Sequence, residues 1–272
     1  MKFERIFCQK PNKFITSFFE FEIEEKDMPL VGNLLPTAQS HLLYFFSDEK
    51  HEVVINNKSF LENGLVVCGQ SYRSYEFIPT CPVRVFGANF HATFLHKILG
   101  KQMSSITDSH LPLKDFCQLL HDKIIHVFKE EDSSKEIAKN LEKVLFSIPV
   151  KDNKNINYVD IAIDLIHQKK GRISVEEVLE YLTISQKNLE IQFKKIVGLT
   201  PLKYIKLYKF WHLMKAYESE IIDFNEALDY YNYYDLSHFN RDFKLFMKVK
   251  PTEYIKRDNT LIKKYKRKKN EK

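Results

Sequence analysis

Between residues 32 and 90 the chain alternates short apolar runs with turn residues. His41-Leu42-Leu43-Tyr44-Phe45-Phe46 is one run. Glu52-Val53-Val54-Ile55 and Lys58-Ser59-Phe60-Leu61 flank Asn56-Asn57, a pair that tolerates the positive φ of a tight hairpin turn. Leu65-Val66-Val67-Cys68 follows Gly64, Tyr75-Glu76-Phe77-Ile78 ends at Pro79, and Val83-Arg84-Val85-Phe86 ends at Gly87. Strands at this spacing predict a sandwich or barrel over residues 1–112. From Leu113 the period changes. Phe116, Leu119, Leu120, Ile124, Val127 and Phe128 fall at helical spacing, as do Ile137, Leu141, Val144 and Leu145 after the polar break at 130–134. Residues 113–150 therefore read as helices, which either pair with a second copy or pack on their own domain. The polar stretch after Pro149 reads as a linker over 151–159.

The chain beyond residue 160 is helical throughout and repeats one plan. Ser174, with Glu177 three residues on, predicts a capped helix over 175–182. Ser185 caps a second helix with the stripe Leu189, Phe193, Ile196, ended by Gly198 and Thr200-Pro201. About fifty residues later Asp223 and Glu226 open a helix carrying Phe224, Ala227, Leu228 and Tyr231. The turn Asn232-Tyr233-Tyr234 leads to Asp235, which caps a helix with the stripe Leu236, Phe239, Phe243, Phe246 before Lys250-Pro251. Each pair, with its short turn, has the form of a helix-turn-helix. Between them, Tyr204, Ile205, Leu207, Tyr208, Phe210, Trp211, Leu213 and Met214 cover most of a helix circumference, as in a helix buried on most sides. The fold class expected is α+β: a β-rich sandwich or barrel, then helices, then an all-α domain of two helix-turn-helix units joined by a long helix.

Charge sharpens this division. Residues 1–153 hold 18 Lys+Arg against 20 Asp+Glu, whereas residues 154–272 hold 24 against 16. A basic half joined to a mildly acidic half suits a nucleic-acid partner. Part of the excess belongs to the basic tail, 258–272, where Lys263 to Lys269 form a run that would touch phosphates without selectivity. The basic case thus rests on local placement.

Candidate chemistry narrows the function by exclusion. Cys8, Cys68, Cys81 and Cys117 are scattered, with no C-x-x-C pair, and read as small buried hydrophobes. His41, His51, His91 and His96 show no i,i+2 or i,i+4 pairing, so no metal set is expected. Seven glycines leave little material for a phosphate-binding loop, and no nucleophile motif is present. No catalytic residue, metal or cofactor is expected. No apolar run approaches the length of a membrane span, and Phe14 to Phe19 lacks a following cleavage site, so a cytoplasmic protein with no membrane partner is expected.

Residues 160–257 resemble the DNA-binding region of the AraC/XylS family of bacterial transcription regulators. The resemblance rests on Phe193-Lys194-Lys195, Gly198-Leu199-Thr200-Pro201 and Tyr204-Ile205, and on Ser237-His238-Phe239-Asn240-Arg241-Asp242-Phe243-Lys244 with Pro251-Thr252-Glu253-Tyr254. It implies two helix-turn-helix units reading successive major-groove faces of double-stranded DNA. The chain departs from the family at Leu179, where a small Ala is usual, at Asn232 in the turn, and at Lys248, where a glycine is usual. Leu35-Pro36, the run 41–46 and Pro82 to Gly87 resemble an uncharacterised, cupin-like sensor domain of such regulators. The family reading implies a small-molecule effector, a homodimer, and RNA polymerase as a partner if the protein activates.

Position within each unit picks out base-reading candidates: Gln186, Lys187, Glu190 and Ile191 in the first, and Leu236, Ser237, Asn240 and Arg241 in the second. Lys194 and Lys244 are the phosphate-contacting candidates. Arg241 is the sole arginine of either recognition helix and suits guanine O6 and N7, unless Asp242 or Glu226 claims it. Ile191 and Leu236 either meet thymine methyls or pack. Two rival readings stand beside the effector-responsive regulator. One is a regulator without a ligand, controlled by abundance or a protein partner. The other is an enzyme fused to a DNA-binding module, which would need an activated cysteine.

Overall fold

The structure is a computed structural model that describes residues 1–8, 12–218, 224–231, 233 and 235–256. Its first half is two antiparallel sheets. Strands β1 (Lys2–Ile6), β2 (Ile15–Ile23), β9 (Val83–Phe90), β4 (Ser40–Phe46), β7 (Gly64–Cys68) and β10 (His110–Pro112) form the larger sheet in that order. The smaller runs β3 (Gly32–Leu34), β8 (Tyr75–Ile78), β5 (His51–Ile55), β6 (Lys58–Glu62). Asn56 and Asn57 both adopt positive φ in the β5–β6 turn, as the hairpin requires.

The larger sheet is buried on both faces. Phe45, Val66, Cys68 and Val85 point toward the small sheet, against Val53, Ile55 and Phe77. Phe18, Leu42, Val67 and Phe86 point the other way. That second face is covered by α1 (Phe94–Leu99), α2 (Leu113–Phe116), α3 (Gln118–Ile124) and α4 (Ser134–Phe146), through Leu113, Phe116, Leu120, Ile124, Ile137, Leu141 and Leu145. Double burial explains why Leu65 to Cys68 reads as a continuous apolar run rather than an alternation. Of the apolar positions in 113–150, Phe116, Leu120, Ile124, Ile137, Leu141 and Leu145 enter the core of their own domain, whereas Leu119 is 77% exposed.

Two strand expectations need correction. β9 does not stop before Gly87 but runs on to Phe90. The ring of Phe19 lies so close over Gly87 that an added Cβ would meet it at 2.1 Å, so the glycine makes room within the strand. β1 and β2 precede the region where strands were expected. In β2, Glu20 accepts from Arg84 Nε of β9 at 2.9 Å, diagonally across the strand pair, while register sets Glu22 opposite Arg84, so the charges that broke the apolar pattern meet across strands.

The second half is α5 (Lys154–Gln168), α6 (Val175–Leu179), α7 (Gln186–Val197), α8 (Pro201–Glu218), α9 (Phe224–Tyr230), α10 (Leu236–Met247) and α11 (Pro251–Lys256). The stretch read as a linker is mostly helix. The Asn153 side chain accepts from the backbone N–H groups of Asn155 and Ile156, so α5 begins at Lys154. α6 ends at Leu179, three residues short of expectation. α8 buries Tyr204, Leu207, Phe210, Leu213 and Met214 in one core with Leu189, Phe193, Phe239, Phe243 and Phe246. Asp223, Asn232, Tyr234 and the tail 258–272, named above, lie outside the described residues.

The halves share a buried contact. Leu35, Ala38 and Ala92 belong to the same apolar cluster as α5 to α11. Asp160 of α5 accepts from Thr93 Oγ1 at 2.8 Å and Lys97 Nζ at 2.6 Å. The Thr107 hydroxyl donates to the Gly198 carbonyl at 2.9 Å, and the Ser74 N–H to the Phe246 carbonyl at 2.7 Å. Gly198 needs to be glycine on two grounds: its φ is +96°, and an added Cβ would meet Thr107 Oγ1 at 2.5 Å.

His167 sits in the same seam. Tyr204 OH donates to the Ala38 carbonyl at 3.2 Å, so it accepts from His167 Nε2 at 3.0 Å. Burial, with His91 and His212 nearby, lowers the His167 imidazole to about 3. Below its ordinary value of 6.5 the unfolded chain takes up a proton that the folded chain refuses. Stability should therefore be full above pH 6.5 and fall as pH drops toward 3. Urea midpoints across that range will show a slope, and His167→Gln should flatten it.

Candidate nucleic-acid interface

Helices α7 and α10 are each built from the cap inward. In the first unit the Ser174 hydroxyl accepts from Glu177 N–H at 3.1 Å while Glu177 Oε2 accepts from Ser174 N–H at 2.7 Å, the reciprocal cap expected. Val175 and Val178 anchor α6 in the core. Ser185 then caps α7, accepting from Asn188 N–H at 3.4 Å. Leu189, Phe193 and Ile196 are buried as their stripe predicts. The outer face presents Gln186, Lys187, Ile191 and Lys194, all exposed, with Glu190 half-buried beside them. Gln186 Nε2 donates to Glu190 Oε1 at 3.0 Å, which sets the outward amide of one against the carboxylate of the other.

The second unit follows the same construction. Asp235 caps α10 by accepting from His238 N–H at 2.6 Å. Phe239, Phe243 and Phe246 are buried, but Leu236 is not: it is 58% exposed, so it leaves the inner stripe and joins Ser237, Asn240, Arg241 and Lys244 on the outer face. Ile191 is likewise 54% exposed on α7. Both apolar side chains therefore stand exposed on the outer faces of their helices. Arg241 pairs with neither Asp242 nor Glu226. Asp242 is turned inward, 3.8 Å from His238 Nε2, and Arg241 has no hydrogen-bond or ion-pair partner among the described residues.

What the arrangement can do follows from these faces. The exposed N-terminal halves of α7 and α10 carry hydrogen-bonding side chains at the helix ends where backbone N–H groups and dipole favour the negative backbone of DNA. The C-terminal ends are held by the β domain through Gly198 and Phe246. Lys195, exposed beside Lys194, and Lys203, exposed on α8, add cations that position within each unit did not single out. The doublet Lys194-Lys195 was the available signal for the first. α8 joins the units as a buried spacer, its Phe210 ring 4.6 Å from Phe246 and 5.6 Å from Phe243. Lys248 ends α10 in the left-handed conformation at φ 60°, which accounts for the glycine usual there.

Phosphate contacts carry affinity without sequence information. Lys194→Ala and Lys244→Ala should each weaken binding to selected and scrambled duplexes alike and flatten the salt slope by about one unit. Fluorescence anisotropy at several salt concentrations checks it.

Among the described residues no three His, Cys, Asp or Glu side chains are grouped to hold a metal ion, and no helix is long and apolar enough to cross a membrane. The four cysteines are free thiols, and burial pushes the Cys68 thiol well up, away from the thiolate.

Residues 10–112 match a family described as a domain of unknown function, DUF6597. Among solved structures the chain is similar to ToxT from Vibrio cholerae, at 10% identity and a TM-score of 0.48 over 94% of this chain and 98% of that one. A ToxT structure from the same organism with unsaturated fatty acid bound gives 12% identity and a TM-score of 0.48 over 93% and 98%. The AraC-like transcriptional activator CuxR gives 15% identity and a TM-score of 0.26 over 75% and 74%. No curated protein matches the chain in sequence.

Proposed function

We propose that the chain is a sequence-specific transcription regulator that binds double-stranded DNA through residues 160–257 and responds to a small effector through residues 1–112. The observation that carries this reading is the pair of recognition helices. Each has a buried apolar stripe, a capped and exposed N-terminal half, and one exposed branched apolar side chain among polar ones, and both are mounted on the buried helix α8. A surface that merely keeps a helix soluble has no use for exposed Ile191 and Leu236, which stand six residues and one residue past their caps. Gln186, Lys187, Glu190, Ile191, Leu236, Ser237, Asn240 and Arg241 read bases in this account, and Lys194 and Lys244 hold phosphates. RNA polymerase is the partner if the protein activates. The family resemblance of residues 160–257 supports the same assignment, as membership of the AraC/XylS regulators.

Selection from random duplex DNA with the full chain tests it. The expected result is an enriched site with two elements about one helical turn apart, bound far more tightly than scrambled DNA at moderate salt. Equal binding of selected and scrambled duplexes, with only a steep salt slope, would reduce the basic half to a non-specific anchor.

A further inference from the structure

The interior of the sandwich holds polar chemistry that DNA reading does not use, and strand register assembles it. Ser17 of β2 pairs with Asn89 of β9, Asn89 with His41 of β4, His41 with Cys68 of β7, and Cys68 with His110 of β10. Cross-strand partners point to the same face of a sheet, and Cys68 belongs to the core between the sheets. Five neighbouring strands therefore set five side chains in one row facing the small sheet. From that sheet Glu62 reaches across, its Oε1 accepting from His110 Nδ1 at 2.5 Å, with His51 as its partner on β5.

One end of the row is satisfied. His41 Nδ1 lies 2.6 Å from Asn89 Oδ1, Asn89 Nδ2 donates to Ser17 Oγ at 3.0 Å, and Arg5 donates to the same hydroxyl at 3.3 Å. The other end is not. His51, Glu62 and His110 are buried, yet His51 Nε2, Glu62 Oε2 and His110 Nε2 meet no partner, nor does either amide atom of buried Gln70, two residues beyond Cys68. Proteins rarely leave such atoms unpaired in the interior. His51 Nδ1 accepts from Thr80 N–H at 3.3 Å, which leaves its Nε2 as a donor. The spare groups are thus a carboxylate oxygen, an imidazole donor, a second imidazole nitrogen, and an amide offering both.

We propose that Glu62, His110, His51 and Gln70 bind a small uncharged molecule of hydroxyl or amide type, with hydrogen-bond donors and acceptors on neighbouring atoms. An anion does not fit, because Glu62 is itself the charge it would meet, and Arg5 lies at the opposite end of the row. Burial lowers the His41 imidazole to about 4, so it supplies no cation either. The proposal names the chemistry of the effector in the regulator reading, on which only its consequence for DNA rests.

That consequence comes from two loops. Thr37 Oγ1 lies 3.0 Å from His41 Nε2, and the next residue, Ala38, takes the hydroxyl of Tyr204 from α8. Gln70 stands just before Tyr72, which packs on Phe246 with ring centres 5.2 Å apart, and before Ser74, which donates to Phe246. A ligand entering the row displaces the loops that grip both reading units.

The test uses the full chain. Thermal midpoints are measured with short neutral polyols and primary amides, and with straight-chain fatty acids as the opposing set. The expected result is a rise with a neutral probe that Glu62→Gln weakens on the order of tenfold in apparent affinity. No rise with any neutral probe, a rise undiminished in Glu62→Gln, or a rise with fatty acids alone overturns the proposal. The unliganded double variant Glu62→Leu/His110→Leu gives a second arm. Its midpoint should equal or exceed that of the parent, because unmet polar atoms are removed; a marked fall assigns the pair to the scaffold. If the Glu62-dependent rise is seen while the protein never prefers selected DNA, the regulator reading fails and the site stands.

Discussion

Arg241→Ala should lower affinity for the selected duplex about tenfold to a hundredfold while leaving scrambled DNA nearly unchanged. The size follows from geometry. Arg241 is exposed on the outer face of α10, and Asp242, the acid next to it in sequence, is buried against His238 instead. Among the described residues nothing competes for the guanidinium, so no pair with them has to be broken when it meets a base, and its planar fork fits guanine O6 and N7 together. Arg241→Lys keeps the charge but loses the fork, and should recover non-specific binding without recovering the preference. The measurement is anisotropy on both duplexes at one salt concentration. Equal losses on both would make Arg241 a phosphate contact.

Phe210→Ala should cost about 3–5 kcal/mol of stability and separate the two reading units. The ring is fully buried on α8, stacked on Phe246 and edge-on to Phe243, so its removal leaves a void at the point where the long helix meets the second recognition helix. Aromatic pairs of this kind add to the loss beyond buried area. The first unit is packed through Phe193 and Tyr204, whose rings lie 5.5 Å apart at the other end of α8, and is expected to persist. A denaturation curve should therefore shift or broaden, and a footprint should keep one element and lose the other. An unchanged midpoint would show that Phe210 does not hold the second unit.

The legible parts of the molecule were those whose pattern is local. Caps at Ser174, Ser185 and Asp235 mark helix starts because a side-chain oxygen accepts from an N–H two or three residues on, within a window a reader can see. The stripes Leu189, Phe193, Ile196 and Phe239, Phe243, Phe246 were visible for the same reason. Leu236 was ambiguous because it lies at the stripe's edge, where one helical step decides between core and surface. β1 and β2 were hidden because Glu20 and Glu22 interrupt the apolar run, and their partners Arg84 and Lys2 are far along the chain. The contacts between the halves were illegible on other grounds. Several fall on backbone atoms of Ser74, Ala38, Gly198 and Phe246, which leave no mark in side-chain pattern, and the pairs of Thr93 and Lys97 with Asp160 join residues more than sixty positions apart. The polar row was equally hidden, since Ser17, His41, Cys68, Asn89 and His110 come together only through register.

The docking of Gly198 and Phe246 on one β body bears on how the proposed DNA reader would tolerate variation in its target. Two heads on a flexible tether search independently and accept spacers of several lengths, because the tether absorbs the change. Here, without a ligand, each head is fastened at its rear to the same β body through Thr107–Gly198 and Ser74–Phe246, which holds their separation and relative twist before any duplex arrives. The molecule then acts as a calliper with a fixed jaw width. Adding or removing a few base pairs between the two elements rotates one of them away around the duplex, and the affinity left should be that of a single head. Under the proposed DNA-reading function, selection on the target would accordingly fall on the length of the spacer more strictly than on its composition.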